Sequence, residues 1–107
     1  MVLAELVIFP NNVVGSLSPY VARVMNIIDS SGLKYRLSPM STVVEGEFEE
    51  VLALLAKCHN ELAKDCDRIS VIMRMDSKPN DSSSRMESKV KSVEEKVGRT
   101  LVSTAGS

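Results

Sequence analysis

The sequence predicts an α+β fold with a four-stranded antiparallel sheet, and three observations carry this prediction. Short apolar segments rich in β-branched residues occur at four places, in the pattern expected of strands. Two longer segments between them repeat apolar residues at the spacing of a buried helix face. The connection between the second and third strands is short, so these two strands are expected to pair as an antiparallel hairpin.

The amino-terminal part of the chain predicts the first strand and the first helix. Residues 2–9 form an apolar run that Pro10 closes, as is typical of a central strand followed by a loop. Ser18 is predicted to be the N-cap of the first helix, with Pro19 at the first helical position and Gly32 beyond the end. The apolar face of this helix contains Val21, Val24, Met25 and Ile28.

The central part of the chain supplies the remaining core elements. Residues 33–37 and 41–45 are predicted strands, with Pro39 in the turn between them. A helix is predicted over 47–63, because apolar residues recur at helical spacing, and residues 68–75 form the fourth strand. The apolar stripe of this second helix contains Phe48, Val51, Leu52, Leu55, Cys58 and Leu62.

The order strand, helix, strand, strand, helix, strand predicts a ferredoxin-like βαββαβ sandwich, with both helices on one face of the sheet. The other face is then free of these helices. We expect Val44 and Ile72 to point from it, which would leave apolar surface exposed on a monomer. The sequence therefore predicts a homo-oligomer, a tetramer built as a dimer of sheet-to-sheet dimers.

A polar loop over 77–84 separates this core from a predicted carboxy-terminal helix over 85–98. Ser84 and Glu87 have the spacing of a capping box at the start of that helix. Its narrow apolar stripe, which can rest on its own sheet or on a partner subunit, contains Met86, Val90, Val93 and Val97. Residues 99–107 are predicted to be a frayed tail.

Composition favours one globular domain over residues 1–107, with its core at about 2–76. Hydrophobic residues make up 44% and charged residues 25% of the 107 residues, as in ordinary soluble domains. A net charge of −1 gives no broad basic surface for nucleic acid. The chain has no apolar run of membrane-spanning length, and its opening lacks the basic flank of a signal peptide, so we expect a cytoplasmic protein without membrane contact.

The two cysteines and the single histidine give no pattern for metal or redox chemistry. Cys58 and Cys66 are eight residues apart, which fits neither a CxxC motif nor a common zinc spacing. His59 lies on the apolar stripe of the second helix, which favours a packed or interface residue. We therefore expect no bound metal and no role for these three residues in chemistry.

The stretch SPMSTVVEGEFEE, residues 38–50, concentrates carboxylates where the third strand meets the second helix. Glu47, Glu49 and Glu50 lie at the helix start, where negative charge stabilises the helix dipole. Glu45 differs, because it precedes Gly46 on the strand side of the junction. For Glu45 a binding role and a purely structural role both remain open.

Three segments resemble the small thiamine-binding protein family, whose members have about a hundred residues and were formerly uncharacterised. They are AELVIFP, LKYRLSPMSTVVEGEFEEVLALL and MESKVKSVEEKV, which together with their surroundings extend over nearly the whole chain. The most specific part of the resemblance contains Pro39, Met40, Thr42, Glu45, Gly46, Glu47, Phe48, Glu50 and Val51. The resemblance implies a ferredoxin-like fold, association through sheets into dimers and tetramers, and no catalytic activity.

The resemblance also implies a ligand, namely thiamine or its hydroxymethylpyrimidine part. Glu45 can accept a hydrogen bond from the amino group of the pyrimidine, and the hydroxyls of Thr42 and Ser18 can donate or accept. Tyr20 and Phe9 can cover the face of the ring. The local alternatives are strand formation for Thr42, helix capping for Ser18 and packing at the core edge for Tyr20.

Three functional classes follow from these observations. The first is a non-catalytic protein that binds thiamine or its pyrimidine as a carrier, buffer or sensor, with no other cofactor. The second is an oligomeric regulatory or assembly domain that binds another small effector at the subunit interface. The third, an enzyme, is disfavoured because no Gly-rich phosphate loop with an arginine follows the first strand. The fourth strand also lacks the aromatic residues of an RNA-binding sheet.

Overall fold

The computed structural model describes residues 1–103 and contains the predicted order of elements followed by a third helix. The elements are β1 (Val2–Pro10), α1 (Ser18–Ser30), β2 (Lys34–Leu37), β3 (Thr42–Gly46), α2 (Phe48–Ala63), β4 (Ile69–Ser77) and α3 (Ser88–Val97). The four strands form one sheet in the order β2-β3-β1-β4, and all neighbouring strands are antiparallel. The predicted α+β class and the β2–β3 hairpin are therefore confirmed.

The core lies between the sheet and the two helices α1 and α2. Alternate side chains of β1 are buried against these helices because successive residues of a strand face opposite sides. The buried cluster contains Val2, Ala4, Leu6, Ile8, Val24, Ile28, Val44, Val51, Leu54, Cys58 and Leu62. The opposite side of the sheet, which we call the helix-free face, carries the other alternating set.

The prediction that Val44 points from the helix-free face is wrong. Val44 pairs with Ala4 in the β1–β3 register, and both side chains belong to the buried core. Ile72 is on the predicted side, because it pairs with Val7 and its side chain is 61% exposed. The apolar residues of the helix-free face therefore come mainly from β1, with Ile72 from β4 and Val43 from β3.

Helix α1 begins differently from the prediction. Leu17 is its N-cap, and Ser18 is already the first helical residue, without a capping hydrogen bond from its side chain. The Ser18 N–H instead donates to the hydroxyl of Ser16 at 3.1 Å. Ser16 therefore satisfies one of the backbone N–H groups that a helix start leaves free.

Helix α2 buries Val51, Leu54, Cys58 and Leu62. Leu52 of the predicted stripe is 40% exposed. His59 is not packed in the core, because its side chain is exposed and its Nδ1 lies 3.2 Å from Asn60 Oδ1; the alternative position at an interface stays a prediction. The contact side of the helix is rotated toward Leu54, so His59 falls outside it. Within residues 1–103, every helix is too short or too polar to cross a membrane.

The chain after β4 returns across the helix-free face and then forms α3. This helix begins at Ser88 rather than at residue 85, and Glu87 is its N-cap without a side-chain capping bond. The predicted Ser84–Glu87 capping box is wrong, because both side chains bond to the sheet. Gly98 ends α3 in the left-handed conformation, with φ of 86°. The predicted tail, 99–107, extends beyond the described residues after residue 103.

Candidate functional site

A cavity of about 120 Å³ opens between α1 and the turn that joins β2 to β3. Ser38 and Ser41 close this turn: the Ser38 N–H donates to the Ser41 carbonyl at 2.9 Å, and the Ser41 N–H donates to Ser38 Oγ at 3.2 Å. Pro39 and Met40 form the tip. The Met40 side chain borders the cavity and is nevertheless 84% exposed. The turn therefore places a large apolar side chain at the mouth of the cavity.

The inner wall of the cavity is apolar. β1 contributes alternate core residues, and α1 contributes the face that the sequence predicted to be buried. The wall residues include Leu6, Ile8, Val21, Val24, Met25 and Ile28. An apolar wall with a few polar groups is typical of small-molecule sites.

Thr42 is the buried polar residue of the cavity. Its side chain is 7% exposed, and its hydroxyl lies 3.5 Å from the sulfur of Met25. A thioether is a weak hydrogen-bond acceptor, so this contact satisfies the hydroxyl only weakly. Thr42 therefore has hydrogen-bonding capacity available toward a ligand in the cavity.

A carboxylate lies close to the mouth of this cavity. The hydroxyl of Ser41 donates to Glu5 Oε2 at 3.0 Å, and Glu5 itself is exposed on β1. A negatively charged group is therefore hydrogen-bonded to Ser41, a residue that lines the cavity.

Glu45 lies on the other side of the sheet from Thr42. Its side chain is 4% exposed, and its two carboxylate oxygens accept hydrogen bonds from the Ser84 hydroxyl at 2.5 Å and the Arg85 N–H at 2.6 Å. The carboxylate thus holds the segment that precedes α3. In this structure it does not border the cavity.

The remaining residues of the sequence-predicted site are spread over the molecule. Ser18 is exposed at the start of α1, and Tyr20 packs at the edge of the core with the Arg23 guanidinium 5.8 Å from its ring centre. Phe9 lies on the helix-free face, where it pairs with Ser70 of β4. Of the five predicted site residues, Thr42 alone borders the cavity.

Sequence reasoning missed Met25, Ser38 and Ser41 as lining residues. The signal for the two serines was present, because their hydroxyls flank the Pro-Met pair of the turn. Met25 was identified only as part of the buried face of α1. Its approach to Thr42 depends on how α1 packs on the sheet.

The acidic helix start behaves as the sequence predicted. Glu47 is the N-cap of α2, Glu49 and Glu50 lie in its first turn, and the Glu47 N–H donates to Glu50 Oε1 at 3.1 Å. These carboxylates therefore stabilise the start of the helix.

The cysteines lie away from the cavity lining. Cys58 is fully buried in the core, and this burial raises the pKa of its thiol to about 11. Burial also raises the pKa of Cys66. No three His, Cys, Asp or Glu side chains within residues 1–103 form a group that could hold a metal ion.

The sequence profile described as thiamine-binding protein matches residues 4–94. The chain belongs to this family. Among its relatives, the UPF0045 protein MJ1052 of Methanocaldococcus jannaschii is 30% identical over 94 residues, covering 88% of this chain and 93% of the relative. The UPF0045 protein YqgV of Bacillus subtilis is 32% identical over 99 residues, covering 87% of this chain and 94% of the relative.

Two solved structures have the same fold. The crystal structure of MJ1052 superposes with a TM-score of 0.78 at 29% identity, covering 88% of this chain and 96% of the other. A Thermotoga maritima protein, named provisionally for thiamine biosynthesis or salvage, superposes with a TM-score of 0.73 at 27% identity. That comparison covers 86% of this chain and 97% of the other.

Proposed function

We propose that this protein binds thiamine non-catalytically, with the aminopyrimidine ring of the ligand in the cavity beside Thr42. The support comes from membership of the thiamine-binding protein family together with the chemistry of the cavity. A carrier, buffer or sensor of thiamine requires such a site and no catalytic group.

The size of the cavity favours part of the ligand rather than all of it. Its volume of about 120 Å³ is well below the roughly 300 Å³ at which pockets begin to enclose drug-sized molecules. A flat pyrimidine ring is the part of thiamine that suits a small apolar slot. Met25 and Met40 border this slot, and their sulfur atoms make favourable contacts with aromatic rings.

The single observation that carries the proposal is the weakly satisfied Thr42 hydroxyl. It can donate to a ring nitrogen or accept from the exocyclic amino group of the pyrimidine, in place of its contact with Met25. The thiazolium cation of thiamine would then remain at the mouth. The carboxylate of Glu5, bonded to Ser41, supplies favourable negative charge there.

Titration calorimetry with thiamine and with hydroxymethylpyrimidine tests this proposal. Both ligands should bind, and Thr42→Val should weaken both by roughly two- to tenfold, because one hydrogen bond is lost. Thr100→Val makes the same change at an exposed position and should leave the affinity unchanged. Equal affinities of the wild-type protein and Thr42→Val for the pyrimidine would contradict the proposed site.

We also propose that two copies associate through their helix-free faces, and that two such dimers form a tetramer. The support is the apolar surface that β1 presents there together with Ile72 of β4, which is 61% exposed. Val7 pairs with Ile72, and Phe9 follows on the same side of β1. Val7 also lines the proposed ligand cavity, so the two proposed surfaces adjoin at this residue.

A further inference from the structure

Residues 84–89, which we call the clamp, comprise the segment before α3 and the first two residues of that helix. Their charged side chains attach α3 to the helix-free face. On the β2 side, Glu87 Oε2 lies 2.5 Å from Lys34 Nζ, and Glu87 Oε1 lies 2.9 Å from Arg36 Nη2. On the β4 side, Asp76 Oδ2 lies 2.5 Å from Arg85 Nη1 and 2.7 Å from Lys89 Nζ. The clamp is thus attached by ion pairs at both edge strands of the sheet.

The first two residues of the clamp are attached to β3. The Glu45 carboxylate accepts from both Ser84 and the Arg85 N–H, as described above. Lys34 also donates to the Ser84 hydroxyl at 3.1 Å. Glu45, Lys34 and Glu87 therefore share partners in one polar network that joins β2, β3 and the clamp.

Arg85 is the buried cation of this network, and Glu45 is its buried anion. Its side chain is 5% exposed, and its Nη2 donates to the carbonyls of Asp76 and Met1 at 2.8 and 3.0 Å. Its Nε is buried and has no hydrogen-bond partner among the described residues. A buried cation is stable only while its partners are present, so loss of one attachment weakens the others.

Helix α3 has little other attachment to the domain. None of its residues is buried, and Val93 and Val97 of its apolar stripe are exposed. Met86, inside the clamp, is the buried apolar residue of this region. The position of α3 therefore depends on the clamp rather than on packing of the helix itself.

We propose that the clamp is a switch that opens and closes as one unit, releasing α3 while the βαββαβ core stays folded. Its attachments are predominantly polar, whereas the core is held by apolar burial on the other side of the sheet. With the clamp in place, Lys89 forms one wall of a groove of about 430 Å³ that Leu3, Val43 and Arg74 also border, and opening removes this wall. The clamp thereby determines how much of the helix-free face is accessible.

Hydrogen exchange measured by mass spectrometry tests the switch with a matched set of variants of the full chain. Glu87→Lys replaces two ion pairs by repulsion from Lys34 and Arg36, and should raise exchange in residues 84–97 by about tenfold. Exchange in β1 should not change. Glu95→Lys makes the same charge change at an exposed position of α3 and should leave the exchange pattern unchanged.

A charge swap provides the decisive comparison. Adding Lys34→Glu and Arg36→Glu to Glu87→Lys restores opposite charges across the same contacts, and should return exchange of residues 84–97 toward the wild-type rate. Unchanged exchange in Glu87→Lys, equal acceleration in β1, or failure of the swap to restore protection would each overturn the proposal. Thiamine affinity is a separate readout, because Glu87 lies outside the cavity.

Discussion

The carboxylate of Glu45 accepts a hydrogen bond from the backbone N–H of Arg85 at 2.6 Å, across 40 positions of sequence. This contact gives Glu45, which the sequence suggested as a ligand-binding residue, a structural role. It also separates Glu45 from Thr42, since the two side chains leave β3 on opposite sides of the sheet. The two residues can therefore be tested independently.

We expect Glu45→Gln to destabilise the protein by about 1–2 kcal/mol, because a neutral amide oxygen replaces the carboxylate that accepts from the buried Arg85 N–H. Affinity for thiamine should change little. Glu49→Gln, an exposed change in the first turn of α2, should cost at most about 1 kcal/mol. Urea unfolding and calorimetry measure both effects. A large loss of affinity with unchanged stability in Glu45→Gln would instead favour the ligand role that the sequence suggested.

Ile72→Asp should shift the oligomer toward monomers, because it places a charge in the apolar centre of the proposed contact between sheets. Sedimentation equilibrium at micromolar concentration measures the shift. Val14→Asp makes the same substitution on an exposed loop residue and should leave the association state unchanged. A wild-type protein that sediments as a monomer at this concentration would refute the proposed association.

Acid should destabilise the folded protein. The ion pair with Lys34 lowers the pKa of Glu87 from its ordinary value of 4.5. The hydrogen bond from Lys89 and the nearby charge of Arg85 lower the pKa of Asp76 from its ordinary value of 3.8. Because both folded-state values are depressed, their stabilisation is complete above the ordinary values and is lost as the pH falls through the folded ones. The other charged groups near the clamp include Arg36, Glu45, Arg74 and Asp81, the last of which interacts with Arg85.

The measurement for this dependence is the free energy of unfolding between pH 7 and pH 2. We expect a plateau above about pH 5 and a decline below about pH 4. The decline should be smaller in a variant that carries Glu87→Gln and Asp76→Asn, which lack these titrations. An identical decline in the variant would show that other carboxylates cause it.

Cys58 should react with a thiol reagent only when the protein unfolds. Its thiol is fully buried, and a pKa of about 11 leaves almost no thiolate at pH 8. Cys66 is partly exposed, so the Cys58→Ser and Cys66→Ser variants report the two thiols separately. Rapid modification of native Cys66→Ser, in which Cys58 is the remaining cysteine, would contradict this expectation.

The local pattern of apolar residues was sufficient to predict the order of strands and helices in this fold. The burial period of β1 and the i, i+3, i+4 spacing in α1 and α2 are properties of neighbouring residues, which is why their order was predicted correctly. The same is true of Glu49 and Glu50, whose stabilising role depends on the helix start alone. The prediction that Ser18 caps α1 failed, because the hydroxyl of Ser16 accepts the hydrogen bond from the backbone N–H at the helix start instead.

The positions of Val44, Leu54, Ser84 and Glu45 were decided only by the tertiary structure. The register with Ala4 places Val44 in the core, and the packing of α2 selects Leu54 over Leu52. Ser84 bonds to Glu45 rather than capping α3, because the chain after β4 returns across the sheet. The sequence by itself determined where strands and helices occur. Which side chains meet across the sheet, or enclose a cavity beside Thr42, depended on register and packing between distant segments, which local periodicity does not encode.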